Sequence, residues 1–315
     1  MPSLQHAVVS RLIGLLRPRP PLDDLDALRT RLTEENRVVH EGPPRGVRAG
    51  RQQRVETDHG FPVVTLWRPD VDSEMPRRAV FYLHGGAYIR PTDRRHWELA
   101  TRLADALGAR TVVPLYPLAP EFTVEDSFAA MADLFEEIAE ECPDGVALVG
   151  DSAGGGYALA LAQELRDRAR SRARSRGESK TCATPDRIVL ISPWVDLSGS
   201  VPGTLEAAED DPWLSFPHLA VYAGFWAGSD DAAALAAPRV SPLRGDLSGL
   251  APTLMFCGTR DLLKPGCDAL FELADTVGWE LEYVVAPGLV HVYPLLPIPE
   301  ARDAVDAMIA FARSG

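Results

Sequence analysis

Six short runs of apolar and β-branched residues, AVFYLH, RTVVPLY, GVALVG, RIVLIS, PTLMFCG and LEYVV, punctuate the chain between residues 79 and 285. None shows the polar alternation of a half-exposed strand, so each reads as a strand covered on both faces. Helical patterns fall between them, at about 94–107, 123–141, 153–169 and 265–277, and EARDAVDAMIAFARSG closes the chain as another. Upstream, RVETDHGFPVVTLWRP reads as two strands around the turn residues Asp58, His59 and Gly60. Strands alternating with helices predict an α/β fold with a mostly parallel, doubly wound sheet. A chain of 315 residues, 46% of them hydrophobic, can bury the core such a sheet needs.

Two segments break the alternation. Residues 1–45 are helical with prolines and precede the first strand, and residues 197–240 stand between two core strands. The second carries Trp213, Phe216, Tyr222, Phe225 and Trp226, too many aromatics for a solvated loop. Long insertions in compact folds are usually functional. The expected organisation is therefore a core of residues 46–196 and 241–315, covered by a helical cap or lid of residues 1–45 and 197–240.

Charge and cysteine usage narrow the partners. A net charge of −13 repels phosphate backbones, which argues against nucleic acid. The basic block RDRARSRARSRGESK, residues 166–180, lacks interleaved aromatics and reads as a solvated helix end running into a polar loop. Cys142, Cys182, Cys257 and Cys267 form no CxxC pair and no metal-ligand spacing, so buried reduced thiols are expected. MPSLQHAVVSRLIGLLRPRP reads as an amphipathic helix without export-signal features, and no stretch has the length of a membrane span. A cytoplasmic protein is expected, and a homodimer is allowed for.

The chemistry is concentrated at LVGDSAGGGYALALAQEL, residues 148–165. Gly150-Asp151-Ser152-Ala153-Gly154 fits G-x-S-x-G between an expected strand and an expected helix, the context in which that motif presents a nucleophile on a strained turn. A serine hydroxyl needs a base, and the base needs an orienting carboxylate. His291, just past the last expected strand, and Asp261, directly after TLMFCGTR, fall at the same sheet edge in the chain order serine, acid, histidine. Asp196 is the runner-up acid, while Asp268 and Asp275 fall within the following helix. FYLHGGAYIRP places Gly85, Gly86 and Ala87 in the loop expected to donate backbone N–H groups to an oxyanion together with Ala153. His84 in that loop reads as structural. Tyr88, Trp213, Phe216 and Tyr222 are candidates for the substrate pocket.

The combination HGGA, LYPLAPE, GDSAGG, SPWVDLS, GTRD and GLVH resembles the hormone-sensitive-lipase-like branch of the α/β-hydrolase family, from about residue 60 to the C-terminus. The resemblance implies an α/β-hydrolase fold with a helical cap, a triad of Ser152, Asp261 and His291, and an oxyanion hole around Gly85, Gly86, Ala87 and Ala153. Three positions depart from the family pattern: Ala87 stands for the third loop glycine, Tyr116–Glu121 reads YPLAPE where an arginine is common, and Leu262 follows Asp261 where proline is frequent. The expected reaction is hydrolysis of a small to medium carboxylic ester with apolar groups through an acyl-enzyme, with no metal or organic cofactor. Lactone or amide hydrolysis on the same groups, or a binding module on the same scaffold, remain alternatives.

Overall fold

The computed structural model describes residues 2–16, 19–38, 42–69, 75–176 and 183–314. Eight strands form one sheet: β1 (Gln52–Glu56), β2 (Val63–Trp67), β3 (Ala79–Leu83), β4 (Arg110–Pro114), β5 (Val146–Asp151), β6 (Arg187–Ile191), β7 (Thr253–Arg260) and β8 (Leu281–Val290). Their order across the sheet is β1-β2-β4-β3-β5-β6-β7-β8. The pairs β1/β2 and β2/β4 are antiparallel, and the remaining pairs are parallel. The sheet is thus the mostly parallel one expected of strands buried on both faces.

Helices α1 (Leu4–Leu16), α2 (Leu25–Val38) and α3 (Arg45–Arg48) precede the sheet. Between strands lie α4 (Arg94–Leu107), α5 (Phe128–Glu141), α6 (Ala153–Arg176), then α7 (Thr204–Asp210), α8 (Phe216–Ala227) and α9 (Ala232–Leu235), and α10 (Lys264–Val277), with α11 (Pro299–Arg313) closing the chain. The pleat sorts β3 between two cores. Phe81 and Leu83 face α5 and α6 through Met131, Phe135 and Leu161, whereas Val80 and Tyr82 face α4 and α11 through Trp97, Leu103, Val305 and Met308. Every residue of β3 is buried, and that burial is why the strand carries no polar alternation.

The sheet's carboxyl edge gathers the residues singled out in the sequence. Leu83 pairs with Gly150, so the 84–87 loop emerges beside the end of β5. Arg260 pairs with Val290, so Asp261 and His291 leave neighbouring strands side by side. The amino-terminal segment and the insertion also meet: Arg19 Nη2 donates to the Leu214 carbonyl at 2.9 Å, and His218 Nε2 donates to the Pro20 carbonyl at 2.8 Å. Among the described residues no helix is long and apolar enough to cross a membrane.

The basic block is largely a continuation of α6, which runs to Arg176; residues 177–180 and Cys182 lie outside the described residues. Arg168 reaches Asp133 at 2.6 Å and Glu164 at 2.9 Å, and Arg172 reaches Glu136 at 2.6 Å. Arg166 is buried and bonds the carbonyls of Asp246 and Ser248. Arg166, Arg168 and Arg172 are thus met by the protein's own acidic groups and carbonyls.

Candidate active site

Ser152 sits between the last residue of β5 and the first of α6, with φ of 53°. Left-handed backbone at a residue with a Cβ is strained, and here the surroundings hold it. The Ser152 N–H donates to the Ile191 carbonyl at 2.8 Å, and the Ser152 carbonyl accepts from Trp194 N at 2.9 Å and Gly155 N at 3.0 Å. The glycine at 154 is required by close approach: a Cβ there would collide with the Leu83 and His84 carbonyl oxygens. Positive φ at non-glycine positions among the described residues occurs at Ala87, Tyr88, Ser152, Ser192 and Val292, all on loops at this edge of the sheet.

The serine hydroxyl donates to His291 Nε2 at 2.9 Å. On the other side of the ring, His291 Nδ1 lies 2.9 Å from Asp261 Oδ2 and 3.0 Å from Oδ1, which fixes the tautomer with hydrogen on Nδ1. Asp261 is itself held by Leu263 N at 2.9 Å and by the Cys257 thiol at 3.5 Å, and the neighbouring Ser192 hydroxyl favours its charged form. Ser192 Oγ in turn accepts from Val292 N at 3.0 Å, next to His291. Burial opposes ionisation of His291, but the carboxylates of Asp261, Asp211 and Asp151 together outweigh it and raise the imidazole pKa above its ordinary value. Burial likewise works against the Asp261 carboxylate, yet His291 keeps its pKa below the ordinary range.

Backbone donors line the opposite wall. Gly86 and Ala87 border the same cavity as Ser152, and the N–H groups of Gly86, Ala87 and Ala153 find no acceptor among the described residues. Gly85 is placed differently. Its N–H donates to Asp151 Oδ1 at 3.0 Å, so it anchors the loop from behind and does not face the cavity. Asp151 also accepts from the Tyr82 hydroxyl at 2.7 Å and lies 3.4 Å from His96 Nε2. His84 stacks on Tyr116 at 4.4 Å and bonds the Gly85 carbonyl through Nδ1 at 2.8 Å; burial, then His96, pushes its pKa down to about 4. A neutral, wedged imidazole of this kind stiffens the loop.

A cavity of about 1000 Å³ opens over Ser152 and His291. Trp213, Leu214, Leu219, Leu295 and Leu296 make its apolar wall, and Arg31, Glu34, Glu35, Asn36, Arg90 and Arg95 line the remainder. Of the four pocket candidates, Trp213 and Tyr222 border this cavity. The Trp213 ring meets the His291 ring edge-on at 5.5 Å. Phe216 lines a separate cavity of about 70 Å³. Tyr88 borders neither, being 1% exposed and stacked on Trp226 at 4.3 Å. Asp196, the runner-up acid, is occupied elsewhere: it accepts from Ser198 Oγ at 2.5 Å and from Ser200 N at 3.0 Å, closing a turn of its own.

Sequence reasoning missed Asp151 as the loop anchor, His96, Ser192 and Asp211, whose partners come from distant parts of the chain, and the thiol of Cys257, which meets Asp261 four residues on. Among the described residues no three His, Cys, Asp or Glu side chains come together as a metal site. An oxygen nucleophile bonded to a carboxylate-oriented imidazole, facing free N–H donors across an accessible cavity, can transfer an acyl group.

Comparison with known proteins agrees with that chemistry. A family model described as the alpha/beta hydrolase fold matches residues 80–295. An acetyl-hydrolase of Streptomyces hygroscopicus is 34% identical over 290 residues, covering 86% of this chain and 89% of the relative. An esterase of Acinetobacter venetianus is 28% identical over 239 residues, 75% of this chain and 74% of that one. The crystal structure of an esterase from the bacterial hormone-sensitive lipase family superposes with a TM-score of 0.74 at 28% identity, covering 100% of this chain and 99% of that chain.

Proposed function

The chain belongs to the α/β-hydrolase family, in its hormone-sensitive-lipase-like branch, and is a carboxylic ester hydrolase; on that premise we propose that Ser152, His291 and Asp261 are its catalytic triad. The observation that carries this reading is the unbroken hydrogen-bond chain from Ser152 Oγ through His291 to Asp261, with Ser152 bordering the cavity. Ser152 attacks the ester carbonyl while His291 takes its proton at Nε2, and Asp261 holds the tautomer and offsets the imidazolium charge. The N–H groups of Gly86, Ala87 and Ala153 receive the tetrahedral oxyanion, aided by the positive end of α6. His291 then returns the proton to the leaving alcohol, and water releases the acyl group by the same route.

Residues 1–45 and 197–240 act in this reading as a cap over the core, tied together at Arg19–Leu214 and His218–Pro20. The substrate is a small to medium ester, consistent with a cavity of about 1000 Å³. Its apolar group rests against Trp213, Leu214 and Leu219, and its polar remainder points toward the charged wall. The enzyme works in the cytoplasm, where a reducing environment keeps the buried thiols of Cys142, Cys257 and Cys267 free. A p-nitrophenyl ester series from acetate to long acyl chains tests the reading. Wild type hydrolyses the short members best, and Ser152→Ala loses about 10⁴-fold or more in kcat. Equal rates in the two folded proteins would overturn it.

A further inference from the structure

Asp211 is a buried carboxylate of the insertion that the reaction as described above does not use. It follows α7 directly and is 6% exposed. Its two oxygens serve two different parts of the molecule. Oδ2 accepts from the backbone N–H of Leu262, the residue after Asp261, at 2.7 Å. Oδ1 accepts from Trp213 N at 2.7 Å and Leu214 N at 2.9 Å, closing the turn that carries these two side chains onto the cavity wall. One side of this carboxylate therefore holds the loop of the triad acid, and the other holds the ring that packs edge-on against His291.

A second tie runs alongside it, from Arg260 to Asp210 at 3.3 Å, but that pair is exposed and adds little. The buried link is the stiff one: a carboxylate accepting three backbone N–H groups can rotate only by breaking charge-assisted bonds. We propose that Asp211 is a positioning residue for ester hydrolysis, coupling the seating of the 211–214 turn to the placement of Asp261 and His291. The inference rests on the triad assignment above. It also has an electrostatic consequence. The groups facing His291 are Asp261 after β7, Asp211 of the insertion, Asp151 at the end of β5 and the Ser152 hydroxyl. Asp211 is the member of this set that can be neutralised without touching the triad or the 84–87 loop.

Asp211→Asn keeps an oxygen for Trp213 and Leu214 but turns an amide donor toward the Leu262 N–H. Asp211→Ser keeps a short acceptor for the same turn and cannot reach Leu262. With p-nitrophenyl acetate, both variants lose roughly ten- to a hundredfold in kcat, while KM changes by less than about threefold. The acid limb of kcat/KM against pH moves to lower pH in both, because a negative charge that favours the imidazolium is gone. A purely structural role would lower the melting temperature and leave kcat of the folded variants at the wild-type value on the plateau above that limb. Ser152-dependent hydrolysis by wild type, with kcat and the acid limb unchanged in either folded variant, overturns the proposal. Loss of Ser152 dependence in wild type would instead overturn the triad assignment, so the two failures are distinguishable.

Discussion

His291 can accept the Ser152 proton only while its Nε2 is unprotonated. Burial disfavours the imidazolium, but Asp261, with Asp211 and Asp151 farther off, raises the pKa above the ordinary 6.5. As pH falls through that raised value the base is lost. The kcat/KM profile therefore drops on the acid side with a midpoint above 6.5 and is level just above it; a midpoint below 6.5 would contradict the account. Asp261→Asn tests the same chain from its other end. An amide can leave the imidazole in the wrong tautomer, and a loss of roughly 10³–10⁴ in kcat is expected in a steady-state assay. At this scale Ser152 was legible because G-x-S-x-G carries its own steric logic, Asp261 because it directly follows an expected strand, and His291 because it lies just past the last one. Asp151, Ser192 and Asp211 were not. Their roles depend on partners 66, 100 and 51 residues away, Gly85, Val292 and Leu262, and no local pattern announces such contacts.

The strand-to-helix turn from β5 into α6 depends on Gly154, whose missing Cβ lets the 84–87 loop lie against the helix start. Gly154→Ala should lower stability by about 1–3 kcal/mol, read as a reduced melting temperature, and should cut activity along with it by displacing the Leu83 and His84 carbonyls. An alanine variant as stable and active as wild type would contradict this packing. Most elements were readable from period alone: α4 spans Arg94–Leu107, as expected from its apolar face. The last strand was not. β8 runs through Val290, past the LEYVV run that ends at Val285 and on through Pro287 and Gly288. As the edge strand, β8 pairs only with β7, so a residue lacking an N–H is tolerated there. The register shift between Gly258 and Arg260 takes up the irregularity, and Gly288 N donates to Thr259 Oγ1 at 2.7 Å.

For the molecule as a whole, the acidic balance and the basic stretch of α6 are one arrangement. Replacing both Arg168 and Arg172 with Gln removes links from α6 to Asp133 and Glu136 on α5. Each partly exposed pair contributes no more than about 1 kcal/mol, so a thermal melt should shift by a few degrees and ester hydrolysis should persist. Loss of activity without unfolding would give the stretch a role this account denies it. The aromatic residues of the insertion show where composition stops informing. Trp213 and Tyr222 reach the cavity, while Phe216 lines a separate space, a division set by tertiary packing. What unifies the scales is a serine held at the sheet's carboxyl edge to receive an acyl group. The most direct measurement is acid-quenched peptide mapping by mass spectrometry after brief mixing with p-nitrophenyl acetate. The account predicts one acetyl group, on the peptide containing Ser152 and absent from Ser152→Ala; turnover with the acetyl group on another residue would contradict it.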